Sequence, residues 1–361
     1  MTTWAHIREF VIRYERHFSV AAMVGGFIAD NLGLHRADLP FDTGLLYFYI
    51  ASAGLLILTV HLIEEGVWRR RWTVSARPWL LLALQVIFGS TMSAFLVFYS
   101  HEASFSASWP VLLVLFVIFA GTEIFKHYQD RLGYQYALYF FSVFSFAVYT
   151  VPVFVGTIGT GVFLLAGALA TAAFVFFALL LYATGRQRFR KAAPRVFAGA
   201  AFVLILMNVL YFTHLLPPLP LALKNIGIFH SIEHTTAGYV TEGEPPSLFE
   251  ELFGLDTVHI RAGETVFVGS SVFTPLALKT NIVHRWERWD TTKNAWVTNT
   301  IITFPIIGGN DGGYRGYSDI PGIPAGEWRV SVETPDGAVI GRVTFMVTYV
   351  SAEPPLVQGV L

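Results

Sequence analysis

Cysteine is absent from the 361 residues. That excludes disulfide staples, thiolate metal centres and Cys nucleophiles, so a domain outside the cytosol must stand on its own hydrophobic core. Charge is scarce too: Asp, Glu, Lys and Arg make up 14% of the chain, against about a quarter in an average soluble protein. Most of the chain must therefore be solvated by something other than water. The sequence has no phosphate-cradling glycine loop, no Gly-x-Ser-x-Gly elbow and no kinase or dinucleotide fingerprint, so neither a cofactor nor a catalytic centre is expected. It shows no repeat, no low-complexity tract and no cleavable signal peptide, so the first apolar segment is expected to remain as an anchor.

Long apolar runs are plentiful. They lie near 18–34, 45–63, 79–98, 109–125, 134–155, 160–182 and 196–216. They run to between 17 and 23 residues, against roughly 20 to cross a hydrocarbon core. The first, at 17, also contains Asp30 and Asn31. Of the fifteen Lys and Arg residues before position 220, all but Arg36 fall on one side of a seven-span alternation. Arg8, Arg13 and Arg16 precede the first run; Arg69, Arg70, Arg71 and Arg77 follow the second. Lys126 and Arg131 follow the fourth, and Arg186, Arg188, Arg190, Lys191 and Arg195 the sixth. Short basic loops stay cytoplasmic, which places the N-terminus inside and everything after the seventh run outside. Residues 1–17 read as an amphipathic cytoplasmic helix, with Trp4, Ile7, Phe10, Val11 and Tyr14 on one stripe. Residues 18–216 read as the membrane domain.

The two halves differ in charge. Residues 1–219 carry fifteen bases against ten acids, and residues 220–361 nine bases against fifteen acids. An acidic outer half argues against nucleic acid or other polyanions as its ligand. A proline-rich linker, 217–224, separates them, and beyond it the apolar period changes from helical to alternating. Val266, Val268 and Ser270 alternate with Thr265, Phe267 and Gly269; Trp328, Val330 and Val332 alternate with Arg329, Ser331 and Glu333; Val343, Phe345, Val347 and Tyr349 form a third run. Thr334-Pro335-Asp336-Gly337 reads as a tight turn between the last two. The expected fold is an all-α bundle of seven transmembrane helices followed by an all-β, antiparallel, immunoglobulin-like sandwich over 225–350 with seven or eight strands. A short tail, 351–361, would follow. A capping box at Ser247 and Glu250 predicts one helix among the strands.

His284-Arg285-Trp286, Gly313-Tyr314-Arg315-Gly316-Tyr317-Ser318, Gly326-Glu327-Trp328-Arg329-Val330, Asp336-Gly337 and Ile340-Gly341-Arg342, closed by Phe345, stand in that order. The set resembles an uncharacterised bacterial domain of unknown function found at the C-terminus of multi-spanning inner-membrane proteins. The resemblance covers about 225–350 and is strongest over 273–347. It implies a bacterial inner membrane, a periplasmic β-rich domain and no assigned activity. His230, His234 and a long Trp289–Trp296 loop depart from the pattern.

His230-Ser-Ile-Glu233-His234 has the spacing of an inverted zinc-protease motif, which works only on a helix. The alternation around it predicts a strand instead, and no metal site is expected there or in the glycine-rich loop 308–313. Tyr314, Arg315, Tyr317, Trp286 and Trp289 are the candidate ligand residues. Arginine supplies planar hydrogen bonding and tyrosine low-entropy contact area, suited to a periplasmic protein or a glycan. Trp286 and Trp289 are expected on opposite strand faces, and Trp328 in the core. Within the membrane, Asp30, Asn31, Asn208, His214 and Glu123 are the polar residues of interest. Asp30, Asn31, Asn208 and His214 define a second reading, a small-solute transporter or membrane enzyme with a site between helices near the outer surface. Asn208 and Gln85 are expected to hydrogen-bond between helices.

Overall fold

A computed structural model describes Ile28 and residues 40–68, 71–102, 105–124, 132–218, 220–235, 238–245, 256–274, 278–307, 313–352 and 354–361. The amphipathic segment 1–17, the first span with Asp30 and Asn31, the capping box at Ser247 and Glu250, and positions 308–312 lie outside the described residues. So does the Glu123 side chain.

The described residues contain six helices: α1 (Pro40–Glu64), α2 (Arg71–Glu102), α3 (Phe105–Ile124), α4 (Leu132–Val155), α5 (Thr160–Thr184) and α6 (Arg186–Phe212). Five of them, all but α3, are long and apolar enough to cross a membrane. Many of their large apolar side chains point outward, Phe154, Phe176 and Phe202 among them, as a lipid-facing surface requires. In α5 the small residues Ala166, Ala170 and Ala178 are buried, which allows close helix packing. Pro152 does not end α4, which continues to Val155 before Gly156 N–H donates to the Pro152 carbonyl at 2.8 Å. Asn208 spends its amide on the Leu204 carbonyl of its own helix at 2.8 Å, not on a neighbouring helix as expected.

The chain forms two compact units. One comprises Met1–His101, Pro110–Val151 and Phe163–Phe212; the other comprises Glu102–Trp109, Pro152–Val162 and Thr213–Leu361. In the helical unit, Glu64 near the end of α1 accepts from Arg77 of α2 at 2.6 and 2.7 Å and also pairs with Arg188 of α6. The neighbouring Glu65 accepts the Arg188 backbone N–H. Buried His61 donates Nε2–H to the Leu181 carbonyl of α5 at 2.9 Å. The α1–α2 and α5–α6 connections, both basic, are thereby tied at the same end of the unit.

Among the described residues the β-rich unit holds eleven strands, β1 (Ala222–Phe229), β2 (Ser231–Thr235), β3 (Gly238–Gly243), β4 (Asp256–Ile260), β5 (Thr265–Phe273), β6 (Lys279–Asp290), β7 (Ala295–Ile307), β8 (Tyr314–Pro321), β9 (Gly326–Glu333), β10 (Val339–Tyr349) and β11 (Val357–Val360). They form sheets ordered β1-β5-β8, β4-β10-β9-β6-β7 and β11-β3-β2. The first two share one core. Val266 and Val268 of the three-stranded sheet meet Trp286, Trp328, Val330, Phe345 and Val347 of the five-stranded one. Alternation fixes this inward set, and each buried aromatic stabilises the fold by about 1.5–3 kcal/mol.

Three features differ from the expected antiparallel sandwich. β4 runs parallel to β10, pairing Val258 with Val347. Strands β2 and β3 form a third sheet with β11, which lies in the segment read as a tail, and Leu361 is buried behind it. The Trp289–Trp296 connection is not a long loop but a turn over 291–294 between strands that pair Trp289 with Trp296. Its turn is held by Asp290, which accepts the N–H groups of Thr292 and Lys293 at 2.8 and 3.1 Å, with Asn294 at φ 49. The hairpin at Thr334–Gly337 forms as expected: Gly337 takes φ 87, and its N–H donates to the Thr334 carbonyl at 2.9 Å.

Candidate ligand-binding surfaces of the β-rich unit

The motif residues separate by strand face. The inward set builds a polar network between the two main sheets. His284 of β6 is fully buried, with Nε2 2.8 Å from the Ser270 hydroxyl and Nδ1 2.7 Å from that of Ser318. Trp286 Nε1–H donates to the same Ser318 oxygen at 2.9 Å. Burial holds the His284 pKa down at about 4, so the imidazole is neutral and each ring nitrogen has a hydroxyl partner. Gly316 fits because a Cβ there would overlap the Phe304 ring, which itself meets His284 edge-on at 4.9 Å. Trp286 is therefore core, with no solvent-facing surface. Its assignment as a ligand residue is corrected: two residues of one strand stand on opposite faces, and Trp286 took the inner one.

Trp289 took the outer one. It is half-buried and meets Trp296 across the β6–β7 hairpin at 5.4 Å, edge to face. The Arg329 guanidinium lies 4.4 Å above the Trp296 ring and pairs with Glu287 at 2.6 Å. Arg285 pairs with Glu333 at 2.9 Å. Arg342 of β10 donates Nε–H to the buried Ser331 hydroxyl at 3.0 Å. Burial lowers the Arg342 pKa, and the nearby charge of Arg329 adds to that, while burial raises that of Glu333. Sequence reasoning missed this charged face. The signal was present in the alternation, which sets Arg329, Ser331 and Glu333 opposite Trp328, Val330 and Val332.

Tyr314, Arg315 and Tyr317 lie on β8, an edge strand, beside the third sheet. Both tyrosines are 38% exposed. Tyr317 contacts Phe267 at 6.1 Å and Tyr239 at 5.9 Å, and Tyr239 contacts His234 at 4.9 Å. Arg315 is half-buried over Gly238, and its Nε is enclosed with no hydrogen-bond partner. A guanidinium shielded in this way costs free energy until an acceptor reaches it.

The His230–His234 segment is extended, as the alternation required, with His230 between β1 and β2. His230 and His234 do not converge. Glu244 accepts from His230 Nε2 at 3.0 Å and from His259 Nδ1 at 2.7 Å and backbone N–H at 2.6 Å. His230 and Glu244 border a cleft of about 130 Å³ with Ile228, Asp256 and Thr257. Among the described residues no three His, Cys, Asp or Glu side chains are placed to hold a metal ion. Of the membrane polar set, His214 follows α6 at φ 56.

Residues 279–347 match the family described as "Protein of unknown function (DUF2914)". The stretch runs from the start of β6 to Val347 near the end of β10 and contains the network around His284 and the charged face. The chain thus carries a C-terminal domain of unknown function behind helices apolar enough for a membrane. No curated protein matches the chain. Among solved structures, a Pseudomonas fluorescens alkylpurine DNA glycosylase, AlkC, bound to DNA containing an abasic site analogue aligns at 10% identity. The alignment covers 84% of this chain and 99% of that one, with a TM-score of 0.23, too low to imply a shared fold.

Proposed function

We propose that this is a bacterial inner-membrane protein whose seven helices hold an immunoglobulin-like β-domain in the periplasm, where the domain binds an envelope protein or glycan. The observation that carries the reading is Arg315: its guanidinium Nε is enclosed and unpartnered on the same face of β8 as half-exposed Tyr317, with half-exposed Tyr314 on the opposite face. Tyrosine area around a shielded arginine has the make-up of a binding hot spot. The orientation draws support from both ends of the helices. The basic α1–α2 and α5–α6 connections meet through Glu64, Glu65 and Arg188. Glu102–Trp109 and Pro152–Val162, which belong to the β-rich unit, carry no Lys or Arg. The positive-inside rule puts the first pair in the cytoplasm and the second pair outside.

A photo-crosslinking residue in place of Tyr317, in native membranes, tests the reading. The expected result is a discrete adduct that is lost with Arg315→Ala at unchanged protein level. Labelling that is diffuse, or indifferent to Arg315, would remove the assignment. No specific observation favours transport: Asn208 is satisfied within its own helix.

A further inference from the structure

The outward face of the five-stranded sheet carries a second, independent feature. Its charges do not balance locally. Glu287 is engaged by Arg329 at 2.6 Å and Glu333 by Arg285 at 2.9 Å. Arg342, half-buried between these pairs, makes one hydrogen bond, from Nε to Ser331. Among the described residues no acid pairs with its two terminal nitrogens. Glu327 shares the face but stands opposite Met346, about 13 Å along the strand from Ser331. An arginine held rigidly by its Nε, with its outer edge open, presents a planar two-donor fork for an oxyanion.

We propose that this face binds an oligosaccharide carrying a single uronic or sialic acid, with its carboxylate on the fork of Arg342 and sugar rings against Trp289. Three properties select that class. The single unmatched cation suits a monoanion, because a phosphate dianion would be repelled by Glu287 and Glu333. Arg342, Arg329, Glu287 and Trp296 sit on four successive strands, β10, β9, β6 and β7. The register steps two residues from Arg342 to Arg329 and two more from Glu287 to Trp289 and Trp296, so the track runs diagonally for roughly 20 Å, long enough for several linked sugars. Strands β10, β9 and β6 are each hydrogen-bonded on both sides. No main-chain groups are left there for an extended peptide, which binds at sheet edges. A pyranose needs only hydroxyl partners and an aromatic surface. Trp296 has one face taken by Arg329, which leaves Trp289 for stacking.

The test uses the purified full-length chain in detergent, titrated calorimetrically with glucuronosyl-xylotriose and a monosialylated tetrasaccharide, each with one carboxylate and each also as its methyl ester. At least one acid form should bind about tenfold or more tightly than its ester. Arg342→Gln should erase that preference, Arg342→Lys should restore part of it, and Trp289→Ala should weaken both forms. Arg315→Ala should change none of these values, so this proposal and the one at the β8 rim fail separately. Tryptophan fluorescence melts establish that each variant is folded; Arg342→Lys keeps the test available if Arg342→Gln is not. Absence of binding by both acids, equal binding of acid and ester, full competition by inorganic phosphate, or indifference to Arg342 would each overturn the inference.

Discussion

The imidazole of His284 meets the hydroxyl of Ser318 at 2.7 Å inside the core shared by the two main sheets. Burial depresses the folded-state pKa to about 4 from an ordinary 6.5. The unfolded chain therefore takes up a proton between those values while the folded chain does not. Stability is complete above pH 6.5 and falls as the pH drops toward 4, by about 2 kcal/mol at pH 5 and about 3 kcal/mol in full. Tryptophan-detected melting of the β-rich unit should move to lower temperature over this window. His284→Gln should flatten that part of the profile; an unaltered profile would show that His284 is not the titrating group.

Ser318 carries two buried donors or partners, Trp286 Nε1–H and His284 Nδ1. Ser318→Ala leaves both without that hydrogen-bond partner in the buried core, at a cost of about 1–3 kcal/mol each. Ser318→Thr keeps the hydroxyl but adds a methyl group to a filled space. Denaturant unfolding should rank wild type above the threonine variant and both above the alanine variant.

Gly316 and Phe304 form a steric pair. A Cβ on Gly316 overlaps the Phe304 ring, and the ring cannot retreat without losing its edge-on contact with His284 at 4.9 Å. Gly316→Ala should destabilise the domain by about 1–3 kcal/mol. Adding Phe304→Leu should return part of that loss, so the double-mutant cycle should show coupling. Strict additivity would mean that the two residues do not share the space.

Much of this organisation is legible in the sequence, because it follows from local periodicity. The apolar runs give five helices suited to a membrane, the alternation around Val266, Trp328 and Phe345 gives β5, β9 and β10, and the turn at Pro335–Gly337 joins the last two. The same alternation separates Trp286 from Trp289. It does not tell which face is inner, since either tryptophan suits a core. That is decided by Ser318 and Phe345, contributed from other strands. The parallel pairing of β4 with β10 joins segments more than eighty residues apart and leaves no local mark. β11 is four residues long with Gly359 inside it, too short to show a period. Arg342 carries no local signal either, because its unmatched charge emerges only when Glu287 and Glu333 pair elsewhere.

At the basic end of the helices one carboxylate, Glu64, serves both Arg77 and Arg188. Glu64→Gln keeps its shape and removes its charge, which leaves two guanidinium groups facing an amide in a partly buried site. The expected cost is about 1–3 kcal/mol, read as earlier unfolding of the helical unit in detergent. Glu233→Gln, on an exposed position of β2, should have no such effect.

The absence of cysteine makes the orientation directly measurable. Single cysteines at Asn294 in the exposed β6–β7 turn and at Arg190 in α6 have no native thiol to compete with them. In intact cells with a permeable outer membrane, a thiol reagent that cannot cross the inner membrane should label the first and spare the second. Lysis should expose both. The argument is electrostatic: Arg186, Arg188, Arg190, Lys191 and Arg195 place five cations in one short stretch, which the positive-inside rule keeps on the cytoplasmic side. Labelling of Arg190→Cys before lysis, with Asn294→Cys protected, would reverse the orientation. The acidic β-domain would then face the cytosol, and neither Arg315 nor Arg342 could meet an envelope ligand.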